Sequence, residues 1–289
     1  MLKIQTVGSL DYPELAPYRT MRQQLDHRCR RIFVAEGEKI VRRLLESPFT
    51  VVSLLLTDAW LRTLMPLLES RPEEIHAYVA DKAQLEKLIG FTFYQGVMAI
   101  GKIPAPQSLE ALLKTTDRPL LFAAVDGISN AENLGVLVRN CAAFGGQALI
   151  VGETSSSPYL RRAVRSSMGA IFKLPVVEVA SLAHTLGELR ARKVRGVAAH
   201  PHVDRRILAQ AHLTSDCCLV FGSEGAGISP GVLEACDEAV AIPMQSGVDS
   251  LNVGSASAVF FYEACRQRSV GQTTVGRPVP GNGPSFPIA

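Results

Sequence analysis

Short apolar runs alternate along this chain with segments whose apolar residues recur every three or four positions, the signatures of buried strands and amphipathic helices. In the first hundred residues, RIFVAEG (31–37), TVVSLLL (50–56), IHAYVA (75–80) and GVMAIGKI (96–103) read as strands. EKIVRRLLES (38–47) puts Ile40, Val41, Leu44 and Leu45 on one side of a helix. AWLRTLMPLLES (59–70) is helical with a break expected at Pro66, and DKAQLEKLIG (81–90) is a helix opened by Asp81 and closed by Gly90. Pro104, Pro106 and the polar run KTTDRP (114–119) then read as a linker.

A second block begins at LLFAAVDG (120–127). It continues through a helix up to Gly145–Gly146, QALIVG (147–152), a helix over about 159–168, AIFKLPVV, the helix SLAHTLGELRARKV, GVAAH, CCLVFG, a short helix from Pro230, EAVAIPM and a last helix over 253–267. Strands alternating with helices at this spacing predict an α/β fold with a mainly parallel sheet covered on both faces. The expected organisation is a small α/β block over 1–103, a linker over 104–118, a larger block over 119–268 and a Gly/Pro/Thr-rich tail over 269–289 that composition marks as disordered.

Composition narrows the class. The 289 residues are 47% hydrophobic and 20% charged, as in an ordinary globular protein. No apolar run reaches the ~18 residues a membrane span needs, and MLKIQTVGSLDYPEL lacks the pattern of a secretory signal. The six cysteines form no C-x-x-C pair, so they read as buried reduced thiols of a cytoplasmic protein, without zinc. The histidines and carboxylates form no metal-ligand spacing, and no metal is expected.

Net charge is only +3, but it is uneven. Residues 19–43 carry eight basic side chains (Arg19, Arg22, Arg28, Arg30, Arg31, Lys39, Arg42, Arg43) against three acidic ones, and 161–173 carry Arg161, Arg162, Arg165 and Lys173 with no acid. Such local excesses fit either a polyanion footprint or a solvated helix face.

Ligands of open parallel sheets bind beyond the carboxyl ends of the strands. After the first strand of the second block comes ISNAENLGVLVRNCAAFGG, where Asn130 or Asn133 can cap a helix and Arg139 follows. After CCLVF comes GSEGAGIS, with glycines at 222, 225 and 227 for close backbone approach, Ser229 as a helix cap and Glu224 inside the turn. Glu224 can either hold the loop by accepting backbone N–H bonds or orient a cation such as Arg139. After AVAIPM comes QSGVDSLNVGSASA, which either caps its helix or lines a site. None of these is a G-x-G-x-x-G, P-loop or G-x-S-x-G pattern, and no nucleophile–base–acid set is present. Asn, Ser, Arg and exposed backbone suit positioning an uncharged donor and a phosphate-bearing acceptor.

NAENLGVLVRNCAAFG (130–145), LVFGSEGAGIS (219–229) and IPMQSGVDSLNVGSASA (242–258) resemble, in order, the three motifs of the SpoU (TrmH-like) RNA ribose 2′-O-methyltransferases of the SPOUT superfamily. RRAVRSSMGAIFKLP (161–175) is similar to the segment between the first two motifs, and FVAEGEKIVRRLL (33–45) with YQGVMAIG (94–101) to the small RNA-binding domain, itself similar to a ribosomal-protein fold, that often precedes them. The resemblance implies a C-terminal trefoil knot, a homodimer and S-adenosylmethionine (AdoMet) bound in the knotted loops. Carried over by position, it implies cofactor contacts at Ala199, Gly222, Ile242, Met244 and Leu251, and reaction-site roles for Arg139, Asn133, Glu224, Ser250 and Asn252. Structured RNA is the implied substrate, ribosomal favoured over transfer RNA, with Arg28, Arg30, Arg31, Arg161, Arg162 and Arg165 as expected phosphate contacts. A non-catalytic RNA-binding or ribosome-assembly protein on the same fold is the alternative. Two departures stand out: Asn130–Ala131 where the family often has Asp-Pro, and Gly254 where it often has serine.

Overall fold

The computed structural model describes residues 1–8, 11–21, 24–89, 96–201 and 206–270. Arg22, Gly90, Tyr94, Gln95, His202 and the tail from 271 onward lie outside the described residues.

The first block is a five-stranded sheet ordered β1-β4-β3-β5-β2, with β1 (Leu2–Thr6), β2 (Ile32–Glu36), β3 (Val51–Leu56), β4 (Ile75–Val79) and β5 (Val97–Lys102). β1, β4 and β3 run parallel, and β5 is antiparallel to both β3 and β2. Its helices are α1 (Ala16–Arg19), α2 (Gln24–Cys29), α3 (Glu38–Leu45), α4 (Asp58–Glu69) and α5 (Lys82–Ile89). Pro66 does not break α4, which runs unbroken past it. Leu61, Leu64 and Leu68 are all buried on its inner side, and that packing outweighs one lost backbone hydrogen bond.

The second block is a six-stranded, wholly parallel sheet ordered β11-β9-β10-β6-β7-β8. Its strands are β6 (Leu121–Asp126), β7 (Ala148–Val151), β8 (Val176–Glu178), β9 (Arg195–Ala199), β10 (Cys217–Gly222) and β11 (Glu238–Val240). Its helices are α7 (Ala131–Ala143), α8 (Arg161–Ser166), α9 (Leu182–Ala191), α10 (Pro230–Ala235) and α11 (Val253–Val270). Strands β6 and β10 are buried along almost their whole length, which is why they read as continuous apolar runs rather than alternating ones. The segment 104–118 holds a further short helix, α6 (Leu109–Thr115). Ser108 caps α6, and its Leu112 is buried in the core of the second block.

One apolar core runs through both blocks. At the seam Phe33 and Phe49 of the first block meet Tyr159 and Phe172 of the second, with ring centroids 5.5 to 6.3 Å apart. Charge adds a second seam: Arg161 donates to Glu36 at the end of β2, Arg165 lies 3.5 Å from the same carboxylate, and Arg43 donates to the Met168 carbonyl. Cys141, Cys217 and Cys218 are buried, and burial pushes their thiols up, so they remain protonated; Cys29 is exposed, against expectation. Among the described residues no helix is long and apolar enough to cross a membrane.

Candidate active site

Because the second sheet is parallel, the segments following β6, β9, β10 and β11 emerge on one edge. Three of them, with the start of α11, enclose a cavity of about 260 Å³. Its lining includes Ala199 after β9, Gly222 to Ile228 after β10, Ile242 and Met244 after β11, and Asp249, Ser250 and Leu251 before α11. Val253, Ala256 and Phe260 of α11 complete the wall. All five residues expected at a cofactor therefore share this cavity, together with Glu224 and Ser250.

The turn after β10 is shaped by its own backbone. Ser223 and Gly227 exchange two backbone hydrogen bonds of 2.9 and 3.0 Å, and Ser223 Oγ accepts from the Ala226 N–H. This folds the turn back onto Gly222, where an added Cβ would lie 2.2 Å from the Gly227 carbonyl carbon and 2.3 Å from the Ile228 nitrogen. Gly227 has a positive φ of 69°, whereas Gly225 has open space around it and no such constraint. Two of the three motif glycines thus answer to geometry. Glu224 is exposed; the contacts that hold the turn come from Ser223 and Gly227. Ser229 precedes Pro230 at the start of α10 but makes no side-chain cap; its N–H donates instead to Asp126 Oδ2 at 2.7 Å. Asp126 is a buried residue at the end of β6 that the sequence reading passed over, although its place at a strand's carboxyl end marked it.

The third loop is tied to α7. Asn252 Oδ1 accepts from the Gly254 N–H at 2.8 Å, capping α11, while its Nδ2 donates to Asn133 Oδ1 at 3.1 Å. Two turns further along α7, Asn140 Nδ2 donates to the Gly254 carbonyl at 2.7 Å and to Ser257 Oγ at 2.9 Å. The cap of α7 itself is Asn130, whose Oδ1 accepts from the Glu132 and Asn133 N–H groups. Asn133 is thereby released from capping and serves the link to the third loop.

This clamp explains Gly254. A Cβ there would lie 2.8 Å from Val136 Cγ1 and 3.2 Å from Val136 Cβ, so α11 approaches α7 at a β-branched residue with no room for a side chain. Gly254→Ser should cost about 1–3 kcal/mol of stability, the usual range for overpacking, and Val136→Ala in the same chain should recover part of it. Urea unfolding of both variants checks this; equal stability of wild type and Gly254→Ser would refute the contact.

Arg139 lies on the exposed strip of α7, outside the cavity of its own chain. It makes no ion pair with Glu224 or with any other of the described residues. The expected phosphate contacts divide similarly. Arg30 pairs with Asp26 at 3.1 Å, Arg31 donates to the Pro104 carbonyl, Arg161 and Arg165 engage Glu36, and Arg162 stands 4.0 Å from Glu132. Arg28 is exposed and has no such partner among the described residues.

A model of the SpoU rRNA Methylase family matches residues 121–262, the span of the second sheet and most of α11. An uncharacterized tRNA/rRNA methyltransferase of Mycobacterium tuberculosis is 32% identical over 276 residues, covering 92% of this chain and 93% of the relative. The chain belongs to the SpoU methylase family. Another relative of this SpoU methylase, the 23S rRNA (guanosine-2′-O-)-methyltransferase RlmB of Acinetobacter baylyi, is 33% identical over 216 residues, 73% of this chain and 86% of that one. Among solved structures, the SpoU methyltransferase AviRb from Streptomyces viridochromogenes matches with a TM-score of 0.77 at 25% identity, covering 90% of this chain and 99% of AviRb. The likeness therefore extends through the first block of this SpoU methylase as well as the second.

Proposed function

We propose that this chain transfers a methyl group from AdoMet to a ribose 2′-hydroxyl of structured RNA, ribosomal RNA in particular. The observation that carries the reading is the single cavity shared by Ala199, Gly222, Ile242, Met244, Leu251, Glu224 and Ser250 at the ends of three parallel strands. RlmB relatives support the ribose 2′-hydroxyl of ribosomal RNA as the acceptor.

The lining fits AdoMet. Ile242, Met244, Leu251 and Val253 offer apolar walls for a flat base, the Gly222–Gly227 turn offers backbone, and Glu224 and Asp249 put carboxylates beside a ligand that carries positive charge. When bound, AdoMet supplies a methyl group on a sulfonium, electrophilic without a metal. The chain's own task is then to hold a ribose hydroxyl in line, and positioning of this kind accounts for roughly 7–11 kcal/mol of a bimolecular barrier. Ser250, on the cavity wall, is assigned to the ribose. Asn252 is a positioning residue: bonded to Asn133 and to the first turn of α11, it holds the third loop at a set distance from α7. Arg139 is assigned to the substrate's phosphate and to the alkoxide charge that develops as the hydroxyl reacts. It is not the base, because a guanidinium stays protonated at any working pH. Glu224, which holds neither the motif-two turn nor Arg139, is assigned to the positive charge of AdoMet from its place on the cavity wall.

The reading includes three further features. A trefoil knot is supported by the chain's return from edge strand β11 to pack α11 on α7. A homodimer is supported by the apolar face of α11, where Val259 and Tyr262 are exposed beside Phe144. RNA contact through Arg28, Arg30, Arg31, Arg161, Arg162 and Arg165 entails binding that weakens steeply with salt.

Calorimetric titration with AdoMet, followed by mapping of 2′-O-methyl positions in total RNA with and without the protein, tests the proposal. AdoMet binding with one or more protein-dependent methyl positions is expected. Failure to bind AdoMet would overturn the enzyme reading in favour of a non-catalytic RNA-binding protein.

A further inference from the structure

A second cavity, of about 800 Å³, opens between the two blocks, and the activity proposed above leaves it without a role. Its floor is apolar, formed by Met21, Ile32 and Val34 of the first block with Ile103, Tyr159 and Leu160. Its rim carries Arg28 from one block and Arg161 and Arg162 from the other. At one end lie Ser129, Asn130, Ala131 and Glu132, the residues that open α7, so the groove runs toward the helix that carries Asn133 and Arg139.

Many of the polar side chains lining this groove are already engaged. Ser155 Oγ is spent on the Val125 carbonyl and Ser156 Oγ on the Ser129 carbonyl. Thr154 leans on Asp126, and Asn130 Oδ1 is occupied by the start of α7. Arg161 is held by Glu36, a carboxylate whose side chain is 13% exposed, and so is fixed in place on the wall. The donors that remain are the guanidinium of Arg28, that of Arg162 with only a 4.0 Å approach to Glu132, and the Asn130 amide; the one carboxylate in the lining, Glu132, is exposed beside Arg162. Donors at the rim and an apolar floor suit a ligand that is rich in acceptors at one end and flat and apolar at the other. A phosphodiester with an unstacked base meets both requirements. The volume lies within the ~300–1,000 Å³ of sites that enclose a small molecule. That excludes a double helix, and recognition of RNA by sequence falls mainly on splayed-out single-stranded nucleotides.

We infer that the groove between the two blocks holds an unpaired nucleotide of the substrate RNA, its phosphate on Arg28 and Arg162 and its base on the Ile32–Ile103–Tyr159 floor. This rests on the RNA methyltransferase reading. The first block then acts as one wall of the substrate site, set against the other by the Glu36–Arg161 pair.

The test uses the full chain and two probes, a fluorescein-labelled RNA hairpin with an unpaired loop and the blunt duplex of the same stem, followed by anisotropy over a salt series. Wild type should bind the hairpin about tenfold more tightly than the duplex, within the range that one held base supplies. Arg28→Ala/Arg162→Ala should lose that preference, and its salt slope should fall by about 1.4, two single-strand phosphate contacts. Ala131→Trp, which fills the groove and leaves both arginines, should weaken the hairpin and leave the duplex as it was. AdoMet titration of each variant separates the two levels of the argument. Loss of AdoMet binding by wild type strikes the proposed activity itself. Intact AdoMet binding with equal hairpin and duplex affinity, or with an unchanged hairpin affinity in Ala131→Trp, overturns the groove alone.

Discussion

Replacing Gly222 with alanine should weaken AdoMet binding by about a hundredfold, within the ~1–3 kcal/mol that overpacking a tight site costs. The added methyl would meet the Gly227 carbonyl carbon, the Ile228 nitrogen and the Gly227 carbonyl oxygen at 2.2, 2.3 and 2.4 Å. These are backbone atoms and cannot swing aside as a side chain can. To admit the methyl the turn must open, breaking the paired Ser223–Gly227 hydrogen bonds and pulling Ser229 from Asp126. The strand beneath should survive, because Val220 and Phe221 are locked in the core. Calorimetry with AdoMet, beside a far-ultraviolet spectrum to show the sheet intact, reads the effect. Gly231→Ala in α10 is the control, since its surroundings are empty and it lies outside the cavity lining, so it should bind almost as the wild type does. If Gly222→Ala bound AdoMet normally, the turn would not be the cofactor's wall.

Arg139→Ala should lower kcat by about 10²–10³, the scale set by losing one donor to a developing oxyanion, with AdoMet affinity unchanged. Arg139 is outside the AdoMet cavity, so the cofactor should not sense its loss. It is also exposed, and without an ion pair among the described residues, beside asparagines that are all committed: Asn130 to the cap of its helix, Asn133 to Asn252, and Asn140 to Gly254 and Ser257. Its charge is therefore available to an anion brought by the substrate. Arg139→Lys keeps the charge but loses the planar fork that grips phosphate through two bonds, so it should recover only a minor part of the rate. Single-turnover kinetics at saturating AdoMet measures both variants. Near-full turnover by Arg139→Lys would remove any specific need for the guanidinium.

The parallel sheet was legible because its strands are buried on both faces and read as unbroken apolar runs; β6 and β10 are the clearest. β1 was not, since four of its five residues are exposed and it is held by pairing with β4 rather than by its own pattern. The break expected at Pro66 rested on local backbone chemistry, and three buried leucines overrode it. The linker read over 104–118 contains α6, whose one buried residue, Leu112, is too little for periodicity to detect.

In the site, residue types and their order along the chain marked three loops, but partners could not be read from that order. Asn133 and Asn252 are 119 positions apart and bonded. Asn140 repeats Asn133 two turns later on nearly the same face of α7, a signal that was present and went unused. The arginines show the same limit more sharply. Charge density marked six of them as phosphate contacts, and Glu36, Asp26 and the Pro104 carbonyl, all from the first block or its edge, engage four.

Alone, then, the sequence determined the α/β class, the mainly parallel sheet and the three segments that gather at its edge, because burial and strand-end position are written in local pattern. The tertiary structure decided why Gly222 and Gly254 must be glycines, which asparagine caps and which one ties, and which arginines stay uncommitted. Each of these depends on atoms brought together from distant parts of the chain, at distances where a single methyl group or one carboxylate changes the answer.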